Sequence, residues 1–305
     1  MRKILALFVL VAALASCQYK ELEELDEDMV SLTILLDYSK LTWKPKVMRV
    51  VIYSLDRPYT SPYALDVKDS RTVTLPKGAY WIISYNNDSE INQAVGEESK
   101  ADNVKLLTRE ADRRGITRND SIDGISYYDY PDSAVTETVR NLILGSEQGD
   151  RTSQTVILRP QEVTSHVHVT IKNISSLSLL GSARISIDGI YRDYYIADNN
   201  EKPREKVNII ADGSLENEEN EITADFNIFG IQNSGDHVMT LFLQGQGFSK
   251  FAKFNVTDQI ERQRSQKDIY IEVDGKMDIN DYVPKSPGFG IGINDWEENN
   301  LIINI

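Results

Sequence analysis

"RTVTLPKGAYWIISYNND", residues 71–88, decides the fold. Two runs rich in β-branched and aromatic residues alternate with period two on either side of Pro76 and Gly78, the pattern of half-buried strands. Proline presets φ and glycine frees it, so the pair predicts the turn of a β-hairpin. The theme continues on both sides. "MVSLTILLDY" (29–38) puts Val30, Leu32, Ile34 and Leu36 on one face, and "VMRVVIYSL" (47–55) follows it. Downstream come "SQTVILRPQEVTSHVHVTIKNI" (153–174), "SARISIDGIY" (182–191), "REKVNIIAD" (204–212), "EITADFNIFGI" (221–231), "HVMTLFLQGQGFSKFAKFNVTDQI" (237–260) and "KDIYIEVDG" (267–275). These blocks are strand-sized and bounded by Gly, Asp or Asn. No convincing amphipathic helix exceeds about two turns, and no fixed repeat appears. The expectation is an all-β chain of antiparallel sandwiches, with Pro160 at a joint between two of them.

Two segments stand apart. From about Asn86 to Arg151 the sequence is polar, charged and Gly-bearing, with "VKLLT" and "TETVRNLILGS" as ordered islands. It reads as a long exposed excursion, and loops of that length are often functional. Tyr127, Tyr128 and Tyr130 lie in it. On an exposed loop such rings offer a binding surface; otherwise they tuck against their own sandwich. The last segment, "KSPGFGIGINDWEENNLIINI" (285–305), closes on the apolar Leu301, Ile302, Ile303 and Ile305. Chain ends fray unless tied into a sheet. This one either completes its own sandwich or engages a partner chain by strand exchange.

The start of the chain is an address. Arg2 and Lys3 precede the apolar Ile4 to Ala13 and then small residues, the three parts of a secretory signal. The apolar part is too short to span a bilayer, which takes about 20 residues. "LASC" (14–17) resembles the bacterial lipobox, which implies that Cys17 carries lipid and begins the mature chain. With the only cysteine so committed, disulfides and thiolate metal sites are excluded. Acyl chains contribute about 0.8 kcal/mol per buried CH₂, enough together to anchor the chain. Next, Lys20 with Glu21, Glu23 and Glu24 resembles the acidic signal that takes Bacteroidota lipoproteins to the outer face of the outer membrane. It is equally a solvated tether, and extended it reaches up to roughly 40 Å. The expected organisation is a signal peptide at 1–16, an acidic tether at 17–29, and β-sandwiches at 30–155 and 156–305.

Charge narrows the partners. With Arg2 and Lys3 removed, 31 basic residues face 47 acidic ones, a net charge of about −16. That argues against nucleic acid and anionic lipid. His166 and His168 share one face of their strand, a spacing that can chelate a metal, but Val167, Val169 and Ile171 take the core face and leave them as exposed polar residues. No metal site or cofactor is expected. "GFGIG" (288–292) lacks the spacing of a dinucleotide loop. No nucleophile elbow appears, so nothing points to an enzyme.

Five stretches in order, the lipobox, "LPKGAYWIISYNND", "TVILRPQEVTSHVHVTIKNI", "KFNVTDQI" with "DIYIEVDG", and "INDWEENNLIINI", resemble a Bacteroidales lipoprotein family related to the fimbrillin and minor-fimbrium anchor superfamily. The resemblance implies two tandem transthyretin-like (Greek-key) β-sandwiches. It also implies a fimbrial anchor or adhesion accessory that engages fimbrillin-like subunits by β-strand addition. The closeness of Cys17 to the first strand fits an anchor rather than a shaft unit, and Arg113, Arg114 and Arg151 are only generic sites for maturation cleavage. Asp120-Ser121-Ile122 and Asp132-Ser133-Ala134 resemble Bacteroidota O-glycosylation acceptors, which implies Ser121 and Ser133. The rival reading is a glycan-binding surface lipoprotein of an uptake system, for which Trp43, Trp81 and Trp296 are available aromatics.

Overall fold

The computed structural model describes residues 29–111, 126–145, 152–197 and 202–284, and the backbone of 301–303. Cys17, Ser121, Ile305, the glycines of 288–292 and Trp296 lie outside them.

The first half contributes β1 (Met29–Leu36), β2 (Met48–Ser54), β3 (Tyr63–Val67), β4 (Ser70–Pro76), β5 (Gly78–Asn86), β6 (Gln93–Val95), β7 (Lys105–Leu107), β8 (Tyr127–Asp129), β9 (Val135–Leu144), β10 (Ser153–Leu158) and β11 (Gln161–Glu162). One layer has the order β10-β1-β4 and the facing layer β11-β9-β5-β2-β3. Alternation does the work: Val30, Leu32 and Ile34 of β1 are fully buried against Val50, Ile52 and Ile82 of the opposite layer. At about 25 cal/mol per Å² of apolar surface this burial supplies the main stabilisation of a thiol-free fold.

The turn at 76–78 is not the expected hairpin. β4 pairs with β1 and β5 pairs with β2 and β9, so Lys77 carries the chain from one layer to the other. Asp56 explains the glycine. Its carboxylate accepts the Ala79 N–H at 2.7 Å, and a Cβ on Gly78 would stand 2.6 Å from that side chain.

The second half contributes β12 (Ser165–Ser175), β13 (Leu180–Tyr191), β14 (Asp193–Tyr195), β15 (Lys206–Glu216), β16 (Glu221–Ile228), β17 (Val238–Gly245), β18 (Phe248–Asn255), helix α1 (Thr257–Gln263), β19 (Asp268–Asp278) and β20 (Leu301–Ile303). All of these strands but β14 form, with β8 alongside β15, a nine-stranded sheet of order β19-β12-β16-β15-β13-β17-β18-β20. β15 makes the corner: up to Gly213 it pairs with β13, and from Ser214 it pairs with β16. A Cβ on Gly213 would lie 2.9 Å from Ile222, so the bend needs glycine. The folded sheet encloses a second core including Val167, Val169, Ile185, Ile209, Leu241, Phe254 and Ile271.

Two features differ from expectation. The division at 155/156 cuts β10, whose Val156 and Leu158 pack in the first core through parallel pairing with β1. The change of core falls after β11, because β12 is the first strand of the second sheet. Nor are the described residues between 86 and 145 one exposed excursion. β6 and β7 pair with β14 in a three-stranded sheet, and Ala101, Val104 and Leu106 are buried against the outer face of β2 and β5. Islands of three residues are too short for periodicity to reveal.

Candidate interaction surface

The two edges of the nine-stranded sheet are treated differently. Along β19, Gln259 and Gln263 of α1, one turn apart, take the place of a missing strand. Gln259 donates to the Glu272 carbonyl (2.8 Å) and accepts the Glu272 N–H (2.9 Å). Gln263 does the same at Tyr270 (2.8 and 3.0 Å). Each primary amide matches the donor-acceptor pair of a backbone unit, so this stretch of edge is closed to another strand. At the opposite edge β20 lies parallel to β18, pairing Leu301 with Ala252, Ile302 with Lys253 and Ile303 with Phe254. It covers three of the eight residues of β18. Leu301, Ile302 and Ile303 therefore sit at a sheet edge, as an element able to complete its own sheet or be exchanged would.

The three tyrosines are not on an exposed loop. β15 leaves β16 at its corner, and β8 fills the vacated side by parallel pairing at Asn208–Ile210. Tyr127 is buried edge-on against Phe242 (5.8 Å, 90°), Arg192 covers the Tyr128 ring at 4.5 Å, and Tyr130 packs on Phe226. The rings thus take the second of the two arrangements the sequence left open, packed against their own sandwich, with Tyr128 and Tyr130 half-buried. Ser133 is half-buried, with its hydroxyl 3.4 Å from Asn227 Nδ2 and its carbonyl accepting from Asn86.

His166 and His168 point away from the core as expected, while Val167, Val169 and Ile171 are buried. Asn227 Oδ1 lies 2.6 Å from His166 Nδ1, and Asp225 Oδ1 lies 2.5 Å from His168 Nδ1. The His168 ring stacks on Tyr270 at 4.7 Å. These neighbours orient the rings on the sheet surface, and among the described residues no group of three metal-ligating side chains converges.

A polar cleft of about 680 Å³ runs where the two cores meet, lined by Thr136, Glu137, Arg140, Gln161, Glu162 and Tyr194. The Arg140 guanidinium lies over the Trp81 ring at 4.9 Å and donates to the Ala197 carbonyl. Burial raises the Tyr194 phenol above its ordinary range. Sequence reading missed this cleft because its residues come from strands 25 to 58 positions apart, counted from Thr136 to Gln161 and to Tyr194. It missed the Gln259/Gln263 pair because glutamines one turn apart are common on any helix.

Fold and leader together define a class, an all-β protein of layered sandwiches that carries a lipid attachment signal. A model of the prokaryotic membrane lipoprotein lipid attachment site matches residues 1–18, and no described helix is long and apolar enough to cross a membrane. The chain belongs to the family described as Domain of unknown function (DUF5119), whose model matches residues 16–212. No curated protein sequence matches it. Among solved structures it is similar to a candidate adhesin from Bacteroides ovatus, with TM-score 0.63 and 18% identity over 86% of this chain and 94% of that one. The fimbrial anchor protein Mfa2 from Porphyromonas gingivalis gives TM-score 0.51 and 13% identity over 81% and 90%. A candidate polysaccharide-binding protein from Bacteroides thetaiotaomicron gives 0.51 and 10% over 80% and 90%. At such identities the likeness shows a shared β-sandwich fold.

Proposed function

We propose that the chain is a lipid-anchored cell-surface subunit, a fimbrial anchor or adhesion accessory, held in the outer membrane by acylated Cys17. It engages fimbrillin-like subunits by β-strand addition at the β18 edge, where β20 is the exchangeable strand. The observation that carries this reading is the asymmetry of the nine-stranded sheet: glutamines close one edge, whereas three residues of a terminal strand cover the other. Strand addition uses main-chain hydrogen bonds for affinity and alternate side chains for specificity, and needs such an edge. The fold shared with a fimbrial anchor protein supports the reading.

Mild crosslinking of the lipidated protein in its own outer membrane, followed by mass spectrometry, tests it. A ladder of fimbrillin-like subunits is expected, reduced at least tenfold in the Ile302→Ala/Ile303→Ala variant. Unchanged capture by that variant would remove β20 from the mechanism.

The interdomain cleft favours one second reading, a glycan-binding surface lipoprotein. Its amide, carboxylate, guanidinium and hydroxyl groups are of the kinds that hydrogen-bond sugars, and one protein of this fold is described as polysaccharide-binding. Recovery of a transporter and its glycan-capture lipoproteins without a pilin, together with glycan affinity lost on Gln161→Ala, would select it.

A further inference from the structure

One pole of the first sandwich lies at the opposite end of its strands from the second core. β1 begins there at Met29, which pairs with Pro76, and the register sets Gly78 beside Leu144 and Tyr63 beside Ile52. The Leu55 N–H reaches the Ala79 carbonyl, so the loop after β2 emerges at this same pole. The other ends of these strands meet the second half: Asn86 of β5 bonds Ser133, whose hydroxyl meets Asn227.

Exposed apolar side chains gather at this pole. Of the ten large ones among the described residues, Met29, Leu55, Tyr59, Tyr63 and Ile143 are here. Ile143, Leu55 and Tyr63 belong to or adjoin β9, β2 and β3, which with β5 between them span about 14 Å at the usual strand spacing. Tyr59 is fully exposed, yet its loop is well tied. Arg57 N–H donates to Ser54 Oγ at 3.1 Å, the Arg57 carbonyl accepts from Thr60 N–H (3.1 Å) and Oγ1 (2.8 Å), and Asp56 holds Ala79 N–H.

We infer that this pole seats on the bilayer to which Cys17 is attached, with Tyr59, Leu55 and Ile143 at the boundary between headgroups and acyl chains. Residues 18–28 separate the lipid attachment site from Met29, so the pole can stand no farther than roughly 40 Å from the membrane. Tethering keeps it at high local concentration there, so each weak contact is made without a fresh association cost. Tyrosine places an apolar ring and a polar tip where the interface offers both environments, and Leu and Ile add buried apolar area. The contact is apolar, so the acidic balance of the chain does not oppose it on a zwitterionic surface. It would turn the second sandwich and its β18 edge away from the membrane. The inference rests on the lipid attachment site and stands or falls separately from the fimbrial reading.

The test uses the full-length lipidated chain in phosphatidylcholine vesicles, with Tyr59→p-benzoylphenylalanine, Ile143→p-benzoylphenylalanine or, on the second sandwich, Tyr270→p-benzoylphenylalanine. All three positions are exposed, so folding is preserved, and the acyl anchor is common to all. Irradiation should give lipid adducts at 59 and 143 at least fivefold above those at 270. Equal yields at the three positions, or adducts at 59 to protein alone, would overturn the inference. As a second readout, hydrogen exchange in residues 55–62 should slow several-fold on vesicle binding, and Leu55→Ser/Tyr59→Ser should abolish the slowing. Unchanged exchange in the parent chain would likewise count against the seating.

Discussion

At Arg204 a single side chain holds together the strands that join the two halves. It is only 6% exposed and stands beside Asp193, itself 1% exposed, with Nε 3.7 Å from Oδ1. Its guanidinium lies 4.2 Å over the Tyr191 ring and donates to the carbonyls of Asp193 and Phe229. Burial pulls its pKa down, and Asp193 is the largest influence pulling it back. Asp193 also has Lys105 at 2.9 Å and the Glu205 N–H at 3.2 Å. Removing one partner of a buried pair is costly because the other charge stays behind. Arg204→Ala is therefore expected to lower unfolding stability by about 3 kcal/mol, read as a shift in the urea midpoint. Arg204→Lys should recover part of this, since it keeps the charge but loses the planar fork that stacks and bonds two carbonyls. A loss under about 1 kcal/mol for the alanine variant would mean that Lys105 alone compensates Asp193, the level of an ordinary exposed pair.

At the scale of elements, α1 matters through what it denies the sheet. Gln259→Ala/Gln263→Ala removes four hydrogen bonds from the β19 edge and leaves the backbone of Tyr270 and Glu272 open. The expected direct cost is about 1–2 kcal/mol, since these bonds are partly solvated. The larger effect is association: an open edge templates another strand. Concentration-dependent dimers should appear in size-exclusion chromatography of the variant and not of the parent chain, and a strictly monomeric variant would show that something else guards the edge. The strands themselves were legible where they were long. The alternations of β1 and β12 predicted their buried faces, including the outward His166 and His168, whereas β5, expected to be half-buried, is buried on both faces, with Tyr80 and Ile82 in one core and Ile83 and Tyr85 in the other. Of β6, β7 and β14, three residues each, only β7 showed, as the island "VKLLT", because their burial comes from pairing with one another across the chain. Pro76 and Gly78 announced a turn correctly, but hairpin and layer crossing use the same local chemistry. Which layer β5 joins is set by β2 and β9, far away in sequence. Between the two readings of the tyrosines sequence could not choose for the same kind of reason, since only the corner in β15 creates the place that β8 fills.

For the whole molecule, the decisive feature is a core that belongs to both halves. Val51, Tyr53, Ile83 and Tyr85, on the outer face of β2 and β5, pack with Ala101, Val104 and Leu106 and with Ile196, Ala197 and Phe229 from beyond β12. Tyr53 and Tyr85 turn their hydroxyls to Glu97, and burial, the largest cause, raises both phenols above their ordinary range. Small interfaces let domains move and unfold separately, whereas a dry shared core couples them. A protein tethered by lipid at one end and bound at the other would transmit force through this junction, so its cohesion bears on either proposed function. Phe229 is the test position: it is 3% exposed, packs near Tyr194 and has its carbonyl held by Arg204. Phe229→Ala is expected to cost about 3–5 kcal/mol through the cavity left behind. Calorimetry distinguishes this from a local defect. The parent chain should unfold in one transition, and the variant in two, because the link between the cores weakens more than either core does. A single transition in the variant, merely shifted to lower temperature, would place the coupling elsewhere, in the β14-β7-β6 sheet or the Arg204–Asp193 contact.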